Sequence, residues 1–95
     1  MQLSVVIVSY NSIGLLENCL FSVQKAMQTI DGEIIIVDNN SKDGIEDHLP
    51  SKFPEAKFIF NKENLGFAKA CNQGSKISSG DHLLFLILNG AVVQV

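Results

Sequence analysis

An uninterrupted run of β-branched apolar residues, from Ile34 to Val37, ends directly at Asp38. The run is too short for a helix, and unbroken β-branched runs are typical of parallel strands that are covered on both faces. In an open α/β sheet, ligands bind in the crevice beyond the carboxyl ends of the strands. The sequence therefore predicts a buried parallel strand that delivers the carboxylate of Asp38 to a ligand-binding edge.

Strands and helices alternate along the rest of the chain. Apolar residues spaced three and four apart predict the helices, and Pro50 and the turn at 79–81 each end one of them. Asn11 or Ser12 is predicted to cap the first helix. The order β-α-β-α-β-α-β implies a single domain over residues 1–95, with three layers in which helices cover both faces of a mostly parallel sheet. The predicted strands are 3–8, 33–37, 57–60 and 82–88, and the predicted helices are 12–29, 44–49 and about 64–78.

The C-terminal segment carries a hairpin signal. Apolar residues flank Asn89-Gly90 on both sides, and Asn-Gly supplies the positive φ angles of a type I′ turn. The tail is therefore predicted to fold back antiparallel on the strand at 82–88, which its apolar composition predicts to be central. The alternative is a frayed C-terminus. Because an apolar strand edge is a template for association, we predict a homodimer through the C-terminal strand.

Composition limits the partners of the chain. Hydrophobic residues make up 46% of the 95 residues and charged residues only 18%, which excludes a disordered tail. The formal net charge of -3 argues against binding to nucleic acid or anionic lipid, because both need a basic patch. We find no basic leader, and no apolar run approaches the roughly 18 residues that span a membrane. Cys19 and Cys71 are predicted to be buried free thiols, which predicts a cytoplasmic protein.

Polar residues gather where the strands are predicted to end. Tyr10 could stack on a nucleotide base, and Asp38 could accept the imide N–H of uracil or thymine. The helix predicted near Asn64 begins with free N–H groups that could receive a phosphate, and Lys69 would add a positive charge one turn later. A nucleoside diphosphate is a coherent ligand for this edge. The candidate nucleotide-binding residues are Ser9, Tyr10, Asn11, Asp38, Asn40, Asn64, Gly66 and Lys69.

Each of these features also has a purely structural interpretation. The segment after Asp38 is equally typical of a turn whose side chains bond the backbone. Tyr10 is as consistent with a partly buried wall residue as with a platform for a base, and Lys69 is consistent with a solvated helix face. His48 and His82 have no further ligands nearby in the sequence, which argues against a metal site. No GxGxxG motif follows the first strand, which argues against a dinucleotide-binding fold.

Four segments, in the same order, resemble the opening of a family 2 glycosyltransferase. They are Ser4 to Asn11, Glu33 to Gly44, Asn61 to Ala68 with Asn72 to Gly74, and Gly80 to Leu86. The variety that they most resemble is the rhamnosyltransferase-like one that decorates bacterial surface polysaccharides. The resemblance covers positions 3 to about 86. It implies a GT-A fold and an inverting transfer of a sugar from a nucleoside diphosphate sugar, of the UDP or dTDP type, to an acceptor hydroxyl.

The resemblance also implies roles for individual positions. It places Ser9, Tyr10 and Asn11 in the nucleotide pocket, Asp38 at the base, and Asn64 to Gly66 near the nucleotide. Many relatives carry an arginine where Cys71 stands, so the sequence offers no clamp for the diphosphate at that position.

The chain departs from the family after Leu86. Relatives continue into a short acidic motif whose last carboxylate holds the Mn²⁺ or Mg²⁺ ion that bridges the two phosphates. Here no aspartate follows Asp81, and the amide of Asn89 is a poor substitute for a carboxylate on a hard cation. The metal site is therefore incomplete, the acceptor half and general base are missing, and no catalytic residue is assigned. We expect a truncated, donor-binding half of a glycosyltransferase that is inactive alone. The alternatives are a non-catalytic nucleotide-binding module and a dimeric interaction module.

Overall fold

The computed structural model describes residues 1–89 and 92–94, which form one five-stranded sheet and three helices. The elements are β1 (Leu3–Tyr10), α1 (Ile13–Ala26), β2 (Gly32–Asp38), α2 (Ile45–Lys52), β3 (Lys57–Phe60), α3 (Phe67–Ile77), β4 (His82–Asn89) and β5 (Val92–Gln94). The strand order is β3-β2-β1-β4-β5, and all neighbours are parallel except β4 and β5. The predicted α/β fold is confirmed. Among the described helices, none combines the length and the apolar character that a bilayer crossing requires.

Helices cover both faces of the sheet, as the sequence predicts. One face packs against α1 and α2, where Ile7, Leu16 and Leu49 belong to the same buried cluster. The other face packs against α3, where Val6 and Ala70 share a second cluster. The chain runs outwards from β1 through β2 to β3, and α3 then returns it to β4 on the other side of β1. The strand order therefore reverses between β1 and β4, and α/β proteins bind ligands at the carboxyl edge of such a switch point.

Strand β1 is the centre of the core. Every residue from Val5 to Val8 is at most 1% exposed, because β1 has a parallel strand on each side and helices over both faces. This double coverage explains why the run is apolar without alternation. Burying each of these side chains contributes about 1.5–3 kcal/mol relative to leaving it in water. The core thus holds rigidly the residues that follow β1 at the carboxyl edge.

The first helix is capped from another loop. The hydroxyl of Ser12 donates to the carbonyl oxygen of Tyr10 at 2.7 Å and bonds no N–H group of the first helical turn. The N–H of Ile13 instead donates to the carboxylate of Asp43 at 2.9 Å. Ser12 is the N-cap residue by position, as predicted, but its side chain does not cap the helix, because the carboxylate of Asp43 from the loop after β2 takes that place. The helix also ends at residue 26 rather than at residue 29.

Helix α2 continues through Pro50, where the sequence predicts its end. Pro50 has no N–H to bond the carbonyl one turn earlier. The helix nevertheless reaches Lys52, and the N–H of Phe53 donates to the carbonyl oxygen of Leu49 at 3.1 Å. Phe53 is 1% exposed and is one of the largest fully buried side chains. Its burial offsets the missing hydrogen bond, so tertiary packing overrides the proline signal.

Strand β4 lies one place from the centre, so the prediction of a central strand is wrong. It runs between β1 and β5, and Leu83 and Leu84 are 42% and 39% exposed. Within the described residues β5 pairs only with residues 87–89, so the start of β4 has a neighbouring strand only on its β1 side, and α3 packs mainly over β1 and β2. Strand β5 pairs antiparallel with β4, as predicted, with Asn89 opposite Val92. The predicted type I′ turn falls on residues outside the described ones.

The two cysteines are free and lie on opposite faces of the sheet. Cys19 and Cys71 are half-buried rather than fully buried as predicted. Burial raises the pKa of both thiols. Since the thiolate is the reactive form, a raised pKa lowers the fraction of each side chain that is reactive at neutral pH.

A carboxylate joins several elements at the amino edge of the sheet. Glu33, whose side chain is 7% exposed, accepts hydrogen bonds from Ser4 Oγ and the Ser79 N–H at 2.6 Å and from Lys57 Nζ at 2.9 Å. Burial alone would raise the pKa of Glu33. The hydrogen bonds from Ser4, Ser79 and Lys57, together with the lysine charge, outweigh burial and hold this pKa below its ordinary value.

We expect Glu33→Gln to lower the free energy of unfolding by about 1–2 kcal/mol at pH 7, because the amide replaces an anion that binds three donors. A pKa lowered in the folded state means that the carboxylate stabilises the fold above its unfolded pKa. This contribution is lost as the pH falls through the lowered folded pKa. Urea unfolding should therefore show a difference between wild type and variant that shrinks from pH 7 to pH 3. Glu63→Gln, at an exposed position, is the control. A difference that does not change with pH would contradict a role for the ionised carboxylate.

Candidate functional site

Ser9 and Asp38 meet at the carboxyl ends of β1 and β2. They pair in register across the two parallel strands, and Ser9 Oγ donates to Asp38 Oδ1 at 2.9 Å. Ser41 closes over the same carboxylate, with its N–H donating to Oδ2 at 2.9 Å and its hydroxyl donating to Oδ1. Asp38 is only 2% exposed. A carboxylate has about four acceptor positions, and these three donors leave one. The contact between Asp38 and a base stays a prediction and depends on that remaining position.

The loop after β1 is tied to the loop after β2. Asn11 has a φ of 48°, in the left-handed region that asparagine tolerates better than most residues. There its N–H donates to Ser41 Oγ and its Oδ1 accepts the N–H of Lys42, both at 2.8 Å. Asp43 then caps the first turn of α1 at Ile13. The two loops therefore form one surface, with an open hollow of about 570 Å³ at the start of α1.

Tyr10 lies at the same edge as Asp38 but on the other face of the sheet. Side chains alternate along a strand, and Val6 and Val8, which share the parity of Tyr10, pack on the α3 side. Ser9 lies on the α1 side with Asp38. Tyr10 is half-buried. The structure thus brings Ser9 and Asp38 into contact, whereas a ligand that touches both Tyr10 and Asp38 has to straddle the edge of the sheet.

The turn before α3 forms the wall on the α3 side. Asn64 Oδ1 accepts the N–H of Gly66 at 2.9 Å. Gly66 has a φ of 82° and is the N-cap of α3, which begins at Phe67 rather than near Asn64. Asn39, the residue after β2, donates from Nδ2 to the carbonyl oxygen of Gly66 at 3.2 Å. The predicted residues Asn64 and Gly66 therefore lie together and are joined to the end of β2.

Positive charge at this edge comes from lysines and from a helix terminus. Lys69 is exposed in the first turn of α3, and Lys42 is exposed with its Nζ 3.1 Å from Asn40 Oδ1. Asn40 has a φ of 66°. The first turn of α3 adds free N–H groups and the positive end of the helix dipole. These groups create a locally favourable potential for an anion in a chain whose net charge is -3.

Sequence reasoning missed the residues that hold these loops together. Ser41, Asp43 and Asn39 bond groups between 27 and 30 positions away along the chain. Lys42, which adds positive charge at this edge, was not among the predicted residues either. The signal that was available is the density of short polar residues after β2, which identifies a polar loop but does not identify its partners.

Another concavity, larger than the hollow at the start of α1, lies at the opposite, amino edge of the sheet. It has a volume of about 670 Å³ and lies between the second half of α1, the end of α2 and the start of β2. Phe21, Met27 and Phe53 are among its lining residues. Because open α/β sheets bind ligands at the carboxyl edge, we place the candidate site there and not in the larger concavity.

The residues at the carboxyl edge do not fit a divalent metal. Within residues 1–89 and 92–94, no three histidine, cysteine, aspartate or glutamate side chains lie close enough together to hold an ion. Asp38 has its oxygens bonded to protein donors from Ser9 and Ser41. The described residues therefore do not offer the cluster of carboxylates that the Mn²⁺ or Mg²⁺ ion implied by the sequence resemblance requires.

A parallel sheet whose polar loops converge at a switch point is the arrangement in which many α/β proteins bind nucleotides. The chain belongs to glycosyl transferase family 2, whose family model matches residues 4–87. This match confirms the resemblance of the four sequence segments, and the GT-A fold that the resemblance implies is confirmed by the similarity to solved structures.

Two curated relatives are similar over nearly the whole chain. The uncharacterised glycosyltransferase YfnE of Bacillus subtilis is 38% identical over 87 residues, which are 90% of this chain and 22% of the relative. A dolichol-phosphate mannosyltransferase of Pyrococcus furiosus is 33% identical over 92 residues, which are 94% of this chain and 25% of the relative. The chain thus spans about a quarter of the length of these relatives.

Solved structures share the fold. TarS 1-349 of S. aureus superposes with a TM-score of 0.80 at 26% identity, covering 92% of this chain and 27% of TarS 1-349. The same part of TarS in complex with UDP gives a TM-score of 0.72. The mannosyltransferase PcManGT of Pyrobaculum calidifontis, in complex with GDP-Man and Mn²⁺, gives 0.76 at 21% identity, covering 93% of this chain and 27% of PcManGT.

Proposed function

We propose that this chain is the donor-binding portion of a family 2 glycosyltransferase and that its switch-point edge binds the nucleoside diphosphate part of a nucleotide sugar. The observation that carries the proposal is that the loops after β1 and β2 and the start of α3 converge on the edge where the strand order reverses. The similarity to TarS, which has been solved with UDP, supports this class of ligand.

The proposal gives the candidate residues two kinds of role. Tyr10 stacks on the base, while Lys69 and the free N–H groups of the first turn of α3 face the phosphates. Asn40 lies on the loop after β2, where its Oδ1 accepts a hydrogen bond from Lys42 Nζ. The remaining residues order the loops: Ser9, Asn11 and Asp38 on the α1 side, and Asn64 and Gly66 at the start of α3. A contact between Asp38 and the base would use the one acceptor position of the carboxylate that remains after the hydrogen bonds from Ser9 and Ser41.

Isothermal titration of the 95-residue chain with UDP and dTDP tests the proposal. Tyr10→Ala should weaken binding about 5- to 150-fold, because stacking of a base on an aromatic ring is worth about 1–3 kcal/mol. Lys69→Ala should weaken binding severalfold, and this effect should decrease as salt is added. Lys25→Ala, near the opposite edge of the sheet, is the matched control. The proposal is wrong if neither nucleotide binds, or if Tyr10→Ala and Lys25→Ala behave alike.

The finer parts of the proposal concern the reaction. We propose a donor of the UDP or dTDP type, an acceptor in bacterial surface polysaccharide and a cytoplasmic location, on the basis of the four rhamnosyltransferase-like segments. We also propose that these 95 residues transfer no sugar by themselves, because they contain no aspartate after Asp81 that could hold the metal. Release of UDP from a UDP-sugar by this chain in the presence of Mn²⁺ would contradict that part.

A second candidate function is that of an interaction module. The observation that favours it is the exposure of Leu83 and Leu84 at the start of β4, beyond the residues 87–89 that pair with the edge strand β5. We predict that the chain forms a homodimer through β5, because an edge strand offers unpaired N–H and C=O groups to a second copy. Light scattering should give twice the chain mass of 10.4 kDa. A monomer at high concentration would contradict the dimer, and a dimer without nucleotide binding would favour the interaction module over the transferase.

A further inference from the structure

We propose that Asn39 is a positioning residue: its carboxamide fixes the start of α3 against the end of β2 and thereby sets where the free N–H groups of that helix face a bound phosphate. The inference rests on the proposed function for its ligand. It concerns a residue that is not among the candidate nucleotide-binding residues.

Asn39 is 1% exposed and contacts two backbone groups of the turn before α3. Its Nδ2 donates to the carbonyl oxygen of Gly66 at 3.2 Å, and its Oδ1 accepts the N–H of Leu65 at 3.4 Å. The same Gly66 oxygen accepts the N–H of Ala70, which is the first hydrogen bond of the helix. Asn39 thus bonds the residue from which α3 starts.

Two further side-chain amides complete the contact. Asn61, just after β3, donates from Nδ2 to Asn39 Oδ1 at 3.0 Å. Asn61 and Gln73 of α3 also exchange a pair of hydrogen bonds at 2.8 and 2.9 Å. The network therefore joins β2, the end of β3 and the second turn of α3. Each of the three side-chain amides both donates and accepts a hydrogen bond. A buried network whose groups are all bonded in this way fixes one arrangement of the chain.

The chemistry of the contact requires an amide. One backbone group that faces Asn39 is a donor and the other is an acceptor, so the side chain has to offer both functions at once. An aspartate would place a carboxylate oxygen against the carbonyl of Gly66. An alanine would leave the Leu65 N–H without this partner, which costs about 1–3 kcal/mol for a buried group.

This contact matters because α3 has no cap of its own. Its N-cap is Gly66, whose φ of 82° suits glycine but which has no side chain to bond the first turn. The side chain of Asn64 bonds the N–H of Gly66 instead of a helical N–H. Asn39 is therefore the side chain from a neighbouring strand that determines where the helix begins. Because the helix dipole acts within its first turn, a shift of this terminus moves the field that a phosphate would meet.

Amide hydrogen exchange of the 95-residue chain, resolved by residue, tests the contact without any ligand. Asn39→Ala should speed exchange of the Leu65 and Ala70 amides at least tenfold while the amide of Ile7 in β1 follows the change in global stability only. Ser4→Ala is the matched control, because it removes a fully buried hydroxyl at the opposite edge of the sheet. It should lower global stability and leave the two amides of the α3 start protected as in the wild type.

Titration with UDP then measures the consequence. Asn39→Ala should raise the dissociation constant about tenfold in a chain that remains folded by circular dichroism, whereas Ser4→Ala should leave it unchanged. Asn39→Asp should speed exchange at least as much as Asn39→Ala, because it loses the donor and places a buried carboxylate oxygen against the carbonyl of Gly66. The positioning role is overturned if the Leu65 and Ala70 amides exchange as in the wild type, or if they exchange faster and UDP affinity is unchanged. A wild-type chain that binds no nucleotide counts against the proposed function, and the exchange result still decides whether Asn39 holds the helix.

Discussion

Asp38→Asn is expected to lower the free energy of unfolding by about 3 kcal/mol and to separate the loops that follow β1 and β2. The carboxylate is nearly fully buried and accepts two hydroxyls and one N–H from Ser9 and Ser41. Hydrogen bonds to a charged group are worth about 1.5–3 kcal/mol each, and a buried group that loses its partner costs more than the bond itself. The amide of asparagine would place its NH₂ group against donors for which the described residues offer no other acceptor.

Urea unfolding measures the loss of stability, and the nucleotide titration measures the loss of the site. Asp31→Asn is the matched control, because Asp31 has a side chain 72% exposed and pairs only with the N-terminal amine at 3.5 Å. This control should change stability by less than about 0.5 kcal/mol. If Asp38→Asn is as stable as Asp31→Asn, the carboxylate does not hold the loops. If it is less stable but binds UDP as the wild type does, the loops are not part of the nucleotide site.

The second large effect is expected for Phe53→Ala, which should cost about 3–5 kcal/mol. Phe53 is 1% exposed beneath the end of α2, and truncation of a buried phenylalanine removes its transfer free energy and leaves a cavity. A domain of this size is stable by only about 5–15 kcal/mol, so the variant should lose a large part of its stability. The urea midpoint should fall with little change in the slope of the transition.

Phe21→Ala is the matched control for Phe53→Ala. The two rings are in contact, with centroids 4.9 Å apart and planes tilted by 58°, but Phe21 is 54% exposed. Its truncation removes the aromatic contact, which is worth about 1 kcal/mol, and little buried volume. Phe53→Leu should fall between the two alanine variants because it keeps most of the apolar volume. Equal losses of stability for Phe21→Ala and Phe53→Ala would show that Phe53 is no better buried than Phe21. That result would contradict the role of Phe53 in keeping α2 helical past Pro50.

The fold could be predicted because its signals are local. The continuous β-branched run before Asp38 requires coverage on both faces, and the alternation of strands with helices leaves few ways to provide it. Pro50 and β4 show where local signals fail. The burial of Phe53 keeps α2 helical past its proline. Leu83 and Leu84 stay exposed because, within the described residues, β5 pairs only with residues 87–89 and leaves the start of β4 open. Both outcomes depend on packing between distant segments.

The site could be predicted only in part. Ser9 and Asp38 were brought together correctly because parallel strands end at the same edge, and their register places them side by side. Strand alternation could also have shown that Tyr10 belongs to the other face. The capping of α1 by Asp43 and the contact of Asn39 with Gly66 link segments that are far apart in the chain. Such partners depend on the spacing of loops in three dimensions, which no local pattern encodes.

The pairing of β1 has a consequence for synthesis of the chain on the ribosome. Along one side, β1 pairs with β2 soon after both have been made, but along the other side residue 3 pairs with residue 82 and residue 10 with residue 89. Until β4 emerges, the most apolar strand of the molecule has one flank open, and long-range pairing of this kind forms slowly. An open apolar strand invites pairing with other nascent chains. Chaperone protection should therefore matter most in the interval before β4 closes the sheet.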